Sequence, residues 1–121
     1  MPHSPQNFYK KILGNKGEKL VVKYLKKQGC KILATNYRTP FGEADIIIQE
    51  GEEVAFVEVK TRTSDKYGQP SEAVGKDKQY RYRRIAECYW LQTGKEPNAR
   101  YDVAEVWADG RICQNLSCLR V

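Results

Sequence analysis

Asp45, Glu58 and Lys60 are the residues of this chain whose types and spacing best suit chemistry. Asp45 opens an apolar run, Ile46-Ile47-Ile48, and a polar turn, Gln49-Glu50-Gly51-Glu52-Glu53, leads into Val54-Ala55-Phe56-Val57-Glu58-Val59-Lys60. Two β-type runs joined by a short turn containing glycine predict an antiparallel hairpin. Side chains alternate along a strand, so Glu58 and Lys60 share a face. Asp45, at the end of the partner strand away from the turn, can reach the same spot. Two carboxylates beside an ammonium can hold a hard divalent cation, Mg²⁺ or Mn²⁺, against a phosphate. Phosphodiester hydrolysis needs an activated water, stabilised charge at phosphorus and a relieved leaving oxygen. In that chemistry Asp45 and Glu58 bind metal, the Val59 carbonyl is a further candidate ligand, and Lys60 orients water and neutralises charge. The plainer alternative is an exposed ion pair of small worth between Glu58 and Lys60.

Glu18 is the one acid in the first 40 residues, set among nine Lys and Arg. Either it forms a surface ion pair or it reaches the metal, directly or through water. Residues 41–60 hold six acids and one base, Lys60, and residues 61–100 hold nine bases and five acids. An acidic centre between basic arms, with a net charge of +6, suits a polyanion gripped beside bound cations. Lys16, Lys23, Arg62, Lys78 and Gln79 are the candidate nucleic-acid contacts, with Gln69 as a further polar candidate in a loop. The alternative for each is a solvated polar surface. Tyr80, Tyr82, Tyr89 and Trp90 offer stacking faces, but their helical spacing favours core or interface. Asp102 reads as structural.

Other chemistries fit poorly. His3 is the only histidine and lies in the N-terminal leader, which argues against Ser-His-Asp or Cys-His catalysis. Cys30, Cys88, Cys113 and Cys118 form no CxxC pair, so the spacing does not suggest structural zinc. No apolar run approaches the ~20 residues of a membrane helix, and the leader lacks a signal-peptide layout. The expected location is the cytoplasm, where disulfides are disfavoured.

The elements that must position these groups follow from periodicity. Residues 1–8 read as a flexible leader and 9–121 as a single domain, within the usual size of about 100–200 residues. Tyr9 to Gln28 is helical, with Leu20, Val21, Tyr24 and Leu25 on one side and lysines on the others. Cys30 to Tyr37 is a first strand, and the hairpin from Asp45 to Thr61 supplies two more. Arg62 to Gly75 is a loop, and Lys76 to about Leu91 a second helix with Tyr82, Ile85, Ala86 and Tyr89 inward. Tyr101–Trp107 and Arg111 to about Leu119 are the last strands. The order α-β-β-β-α-β-β leaves a crossover through the second helix. Tyr101–Trp107 can therefore lie parallel to Val54–Lys60 in a mixed sheet flanked by helices.

The words Gly42-Glu43-Ala44-Asp45-Ile46-Ile47 and Phe56-Val57-Glu58-Val59-Lys60-Thr61-Arg62 resemble the YraN-like family of small bacterial proteins, a group to which endonuclease activity is ascribed by inference. Gly17-Glu18 and Arg100-Tyr101-Asp102-Val103 match it too, and the resemblance covers residues 14–107. It implies a restriction-endonuclease-like α/β fold with a PD-(D/E)-x-K site, similar to archaeal Holliday-junction resolvases. By that resemblance Asp45 is the motif aspartate, Glu58 the motif acid, Lys60 the motif lysine and Glu18 the helix-borne acid. Ala44 stands where the motif's name puts proline. The implied activity is Mg²⁺-dependent endonucleolytic cleavage of DNA, with branched or irregular DNA as candidate substrate and a homodimer as candidate assembly. The alternative is a nucleic-acid-binding module that keeps the fold and cuts little, and beyond it an interaction protein whose basic surface is incidental.

Overall fold

The computed structural model describes residues 5–62 and 75–118, with side-chain surroundings for 16–62 and 75–114. Helix α1 spans Pro5–Lys27, followed by strands β1 (Lys31–Thr39), β2 (Gly42–Glu50) and β3 (Glu53–Arg62), helix α2 (Lys76–Thr93), and strands β4 (Asn98–Trp107) and β5 (Ile112–Cys118). This is the order that the periodicity predicts. The first helix starts earlier than expected, taking in Pro5–Phe8 from the predicted leader. Proline suits a first helical turn, where its missing N–H is not needed. The β2–β3 turn is tighter than its polar composition suggests. Both strands run through their glutamates, leaving Gly51 and Glu52 at the bend, and Gly51 takes φ +59°. A left-handed backbone there favours glycine.

The strands form one sheet in the order β1-β2-β3-β4-β5. The β3–β4 pair is parallel and the other neighbours are antiparallel. Parallel strands need a crossover, which α2 provides between β3 and β4. The parallel register pairs Glu53 with Asn98 and runs unbroken to Arg62 with Trp107.

Alternation splits the buried side chains between two faces. Phe56, Tyr101 and Val103 pack with Tyr82, Ile85 and Ala86 of α2. Ala55, Val57, Ala104 and Val106 pack with Val21 and Leu25 of α1. Each large apolar side chain buried this way contributes about 1.5–3 kcal/mol. The sequence expectation fails for Leu20, which is exposed. Val21 and Leu25 are fully buried as expected, with Tyr24 partly so, and Gly17 extends the Val21–Leu25 row by one more step of four. Gly17 is where the helix comes closest to the sheet. A Cβ there would lie 2.6 Å from Thr61 Oγ1 and 2.9 Å from Val106 Cγ1. Only a residue without a side chain lets α1 settle so deeply, and this sets the depth at which the next residue, Glu18, is presented. Among the described residues, no helix is long and apolar enough to cross a membrane.

Candidate active site

The hairpin ladder between β2 and β3 ends at the Ile46–Val57 pair. One step further, Asp45 does not continue it. Its Oδ2 instead accepts the Val59 backbone N–H at 2.7 Å. The carboxylate thus satisfies an amide that the forking strands release, which holds Asp45 at the fork. Burial raises the Asp45 pKa. The Val59 bond opposes this, and the charges of Glu43 and Glu58 add to it. Glu18, on α1, is raised by burial and then by Asp45 and Glu43. Asp45 is thus the hub of the negative charge at this rim, coupled to Glu18 of α1, Glu43 of its own strand and Glu58 of β3, and a cation there would relieve it.

Glu58 shares the α2 face of the sheet with Tyr101. Its Oε1 accepts the Tyr101 hydroxyl at 2.9 Å and the Lys78 ammonium at 3.0 Å. Tyr101 is fully buried and stacks on Tyr82 with ring centroids 4.1 Å apart. Its hydroxyl is thus a rigid donor, with a pKa raised by burial and by Glu58. Lys60 lies nearby. Burial lowers its pKa, the Lys78 charge adds to the effect, and Glu58 opposes it. The fold therefore brings Asp45, Glu58, Lys60 and the charge of Glu18 into one neighbourhood, and adds Tyr101 and Lys78 to it.

Among the described residues, no group of three or more His, Cys, Asp or Glu side chains is set to hold a metal ion. That does not disqualify magnesium. Mg²⁺ usually keeps several waters and takes one or two protein carboxylates. Asp45 and Glu58 supply that number of hard oxygen ligands, so the donor set fits.

The remaining predicted contacts are scattered. Lys78, expected on a nucleic-acid contact or solvated face, pairs with Glu58. Gln79 follows it in the first turn of α2. Arg62 pairs through Nε with the fully buried Glu105 at 3.2 Å. Lys16 and Lys23 are exposed on α1 and line a groove of about 540 Å³ with Leu20, Thr61 and Trp107. Gln69 lies outside the described residues. Of the aromatics, Tyr82 is core, Tyr89 packs edge-on against Tyr37 and Phe56, and Tyr80 and Trp90 are exposed. Asp102 is structural, as expected: it is buried and takes two bonds from Arg100 and one from Gln114.

Two members of the cluster escaped sequence reasoning. Tyr101 meets Glu58 only because β4 lies parallel to β3 in a register that pairs Glu58 with Val103. Alternation along β4 then puts Tyr101, two residues earlier, on the same face. Its place in the sequence assigns Glu43 no role; it lies on β2, and its charge bears on both Asp45 and Glu18.

A raised carboxylate pKa has a consequence for stability. Below the ordinary value of 3.8 the folded and unfolded chains both keep the Asp45 proton, and its burial has no electrostatic cost. As pH rises through the elevated folded value, ionisation destabilises the fold. Asp45→Asn keeps an oxygen for the Val59 N–H but carries no charge. At pH 7 without metal, this variant is expected to melt above the parent, with the gap closing as pH falls below 4. Thermal unfolding across a pH series measures it, and a variant less stable at pH 7 would contradict the charge repulsion described for the rim.

The model of uncharacterised protein family UPF0102 matches residues 17–106. A "UPF0102 protein" of Caldicellulosiruptor saccharolyticus is 50% identical over 100 residues, 81% of this chain and 84% of that one. Another, from Alkaliphilus metalliredigens, is 50% identical over 97 residues, 79% of this chain and 85% of that one. Among solved structures, one titled "Crystal structure of SSO0001" aligns over 98% of this chain with TM-score 0.44 and 17% identity, and the chain spans 54% of its length. Pyrococcus furiosus SfsA in complex with Ca²⁺ aligns over 93% of this chain and 65% of its own, with TM-score 0.36 and 15% identity.

Proposed function

The chain belongs to uncharacterised protein family UPF0102, and from the site its fold assembles we propose that it is a metal-dependent endonuclease that hydrolyses DNA phosphodiester bonds. The observation that carries this reading is the fork between β2 and β3. There Asp45 is fixed on the Val59 amide, Glu58 is fixed on Tyr101, and Lys60 stands beside them. We read the architecture as restriction-endonuclease-like on that arrangement.

Asp45 and Glu58 would hold Mg²⁺ or Mn²⁺, with the Val59 carbonyl as a further ligand and Glu18 assisting from α1. When bound, the ion supplies charge neutralisation at the phosphate and acidifies a water. Lys60 orients the attacking water and meets charge that develops on the phosphoryl oxygens. Burial lowers the affinity of Lys60 for its proton, which favours a role close to the reacting atoms. Exposed Lys16 and Lys23 contact backbone phosphate without reading sequence. Branched or irregular DNA is the candidate substrate that the family resemblance implies, and a homodimer would place two such sites for paired cuts.

One observation favours a second reading. Glu58 is already engaged by Lys78 and Tyr101, as in a module that binds nucleic acid and cuts little. A cleavage panel separates the two. Linear, single-stranded, nicked and four-way-junction DNA are incubated with Mg²⁺, Mn²⁺ or chelator. The endonuclease reading expects cation-dependent product on at least one form. Salt-sensitive binding without product on any form supports the binding module, and binding that ignores salt rejects both.

A further inference from the structure

The proposed reaction leaves the Lys78–Glu58 contact without a role. This ion pair joins the start of α2 to the middle of the site at 3.0 Å. The two donors on Glu58 Oε1 differ in kind. Tyr101 is rigid and buried, and its hydroxyl bond is a fixture of the core. Lys78 ends a flexible four-carbon stem and its side chain is 36% exposed. Its ammonium is therefore the contact that can be exchanged. Lys78 also lies in the first turn of α2, where the helix dipole disfavours a cation and favours an anion. Glu58 supplies the anion that keeps it there.

We propose that Lys78 is a resident counter-ion of Glu58 that a divalent cation displaces, and that the displaced ammonium turns to a phosphate of the bound strand. This rests on the metal-dependent reading above. It gives Lys78 two states: on Glu58 without metal, on substrate with it. The same residue then has effects of opposite sign on the two ligands. It competes with the cation and assists the nucleic acid.

Calorimetric titration of Mn²⁺ into the whole chain without DNA tests the first half. A partly exposed ion pair is worth little, so Lys78→Ala is expected to bind Mn²⁺ only about three- to fivefold more tightly than the parent. Lys78→Arg keeps the charge and is expected to stay near the parental affinity. The second half is read at saturating Mn²⁺, where Lys78→Ala is expected to bind the DNA form cut best by the parent more weakly and to cleave it at least about tenfold more slowly. A Lys78→Ala affinity for Mn²⁺ equal to or weaker than the parent's, with the parent binding Mn²⁺ and cleaving, overturns this inference and leaves the endonuclease reading standing. Tighter Mn²⁺ binding in Lys78→Ala with no cleavage by the parent on any DNA supports the exchange at Glu58 and overturns the endonuclease. A parent that binds no Mn²⁺ at all overturns both.

Discussion

Lys60→Ala is expected to lower metal-dependent cleavage by about 100- to 1,000-fold, the usual loss when one preorganised donor to a transition-state charge is removed. The expectation rests on placement. Lys60 stands two residues beyond Glu58 on the same strand face, and burial already works against its charge in the resting protein. A partly desolvated ammonium is a poor surface ornament but an effective partner for negative charge that appears only during reaction. Stability should hold, because removing a group whose charge burial disfavours costs the fold little. DNA affinity should hold within a few-fold, since the other Lys and Arg residues of a chain with 21 of them remain. Nicking assays with Mg²⁺, set beside filter binding of the same DNA, read the two effects separately. Cleavage that survives the substitution would remove Lys60 from the proposed chemistry. A parallel loss of binding would make it a phosphate contact instead.

Arg100→Ala is expected to destabilise the chain by about 3–5 kcal/mol, the range for breaking a buried ion pair from one side. The Arg100 side chain is only 7% exposed and reaches three acids. Two of its nitrogens grip Asp102 at 2.8 and 3.0 Å, and Nη1 lies 3.1 Å from Glu50 and 3.2 Å from Glu53. Glu50 and Glu53 flank the β2–β3 turn, so Arg100 ties that turn to β4 across the parallel pair. Without it, fully buried Asp102 would keep only Gln114. For a chain of this size the loss corresponds to a fall in Tm of about 10–20 °C. Burial already raises the Asp102 pKa against the pull of Arg100. In the variant that rise grows, so the penalty appears as pH increases through the elevated value and shrinks in acid, where Asp102 is protonated. Denaturant unfolding at two pH values measures both. A loss below about 1 kcal/mol would show that Arg100 acts as a surface residue. The link to function is register. Arg100 helps hold β4 where Tyr101 meets Glu58.

Much of this arrangement is legible in the chain as written. The two β-runs around Gly51 and the helical stripe Tyr82–Ile85–Ala86–Tyr89 announce their elements, because local periodicity reports which face is buried. The crossover through α2 allowed the parallel pairing of β3 and β4, and the pairing is present. Asp45, Glu58 and Lys60 could be placed together because a hairpin brings residues on either side of one turn into register. Leu20 misled for a physical reason. An apolar residue at helical spacing looks inward, but the helix rolls to put Gly17 against Thr61, and Leu20 turns outward with it.

By itself, then, the sequence determined the elements, their order, and the acid–acid–lysine set carried by one hairpin, since these depend on contacts close along the chain. Tertiary structure alone decided the partners that arrive from a distance. Tyr101 and Lys78 lie 43 and 20 residues beyond Glu58, and their meeting at one carboxylate oxygen depends on strand register and on how α2 lies across the sheet. It also decided that Arg62 spends its charge on buried Glu105 and that Asp45 takes the Val59 amide. No local pattern encodes such contacts, because each is fixed by the packing of whole elements against one another.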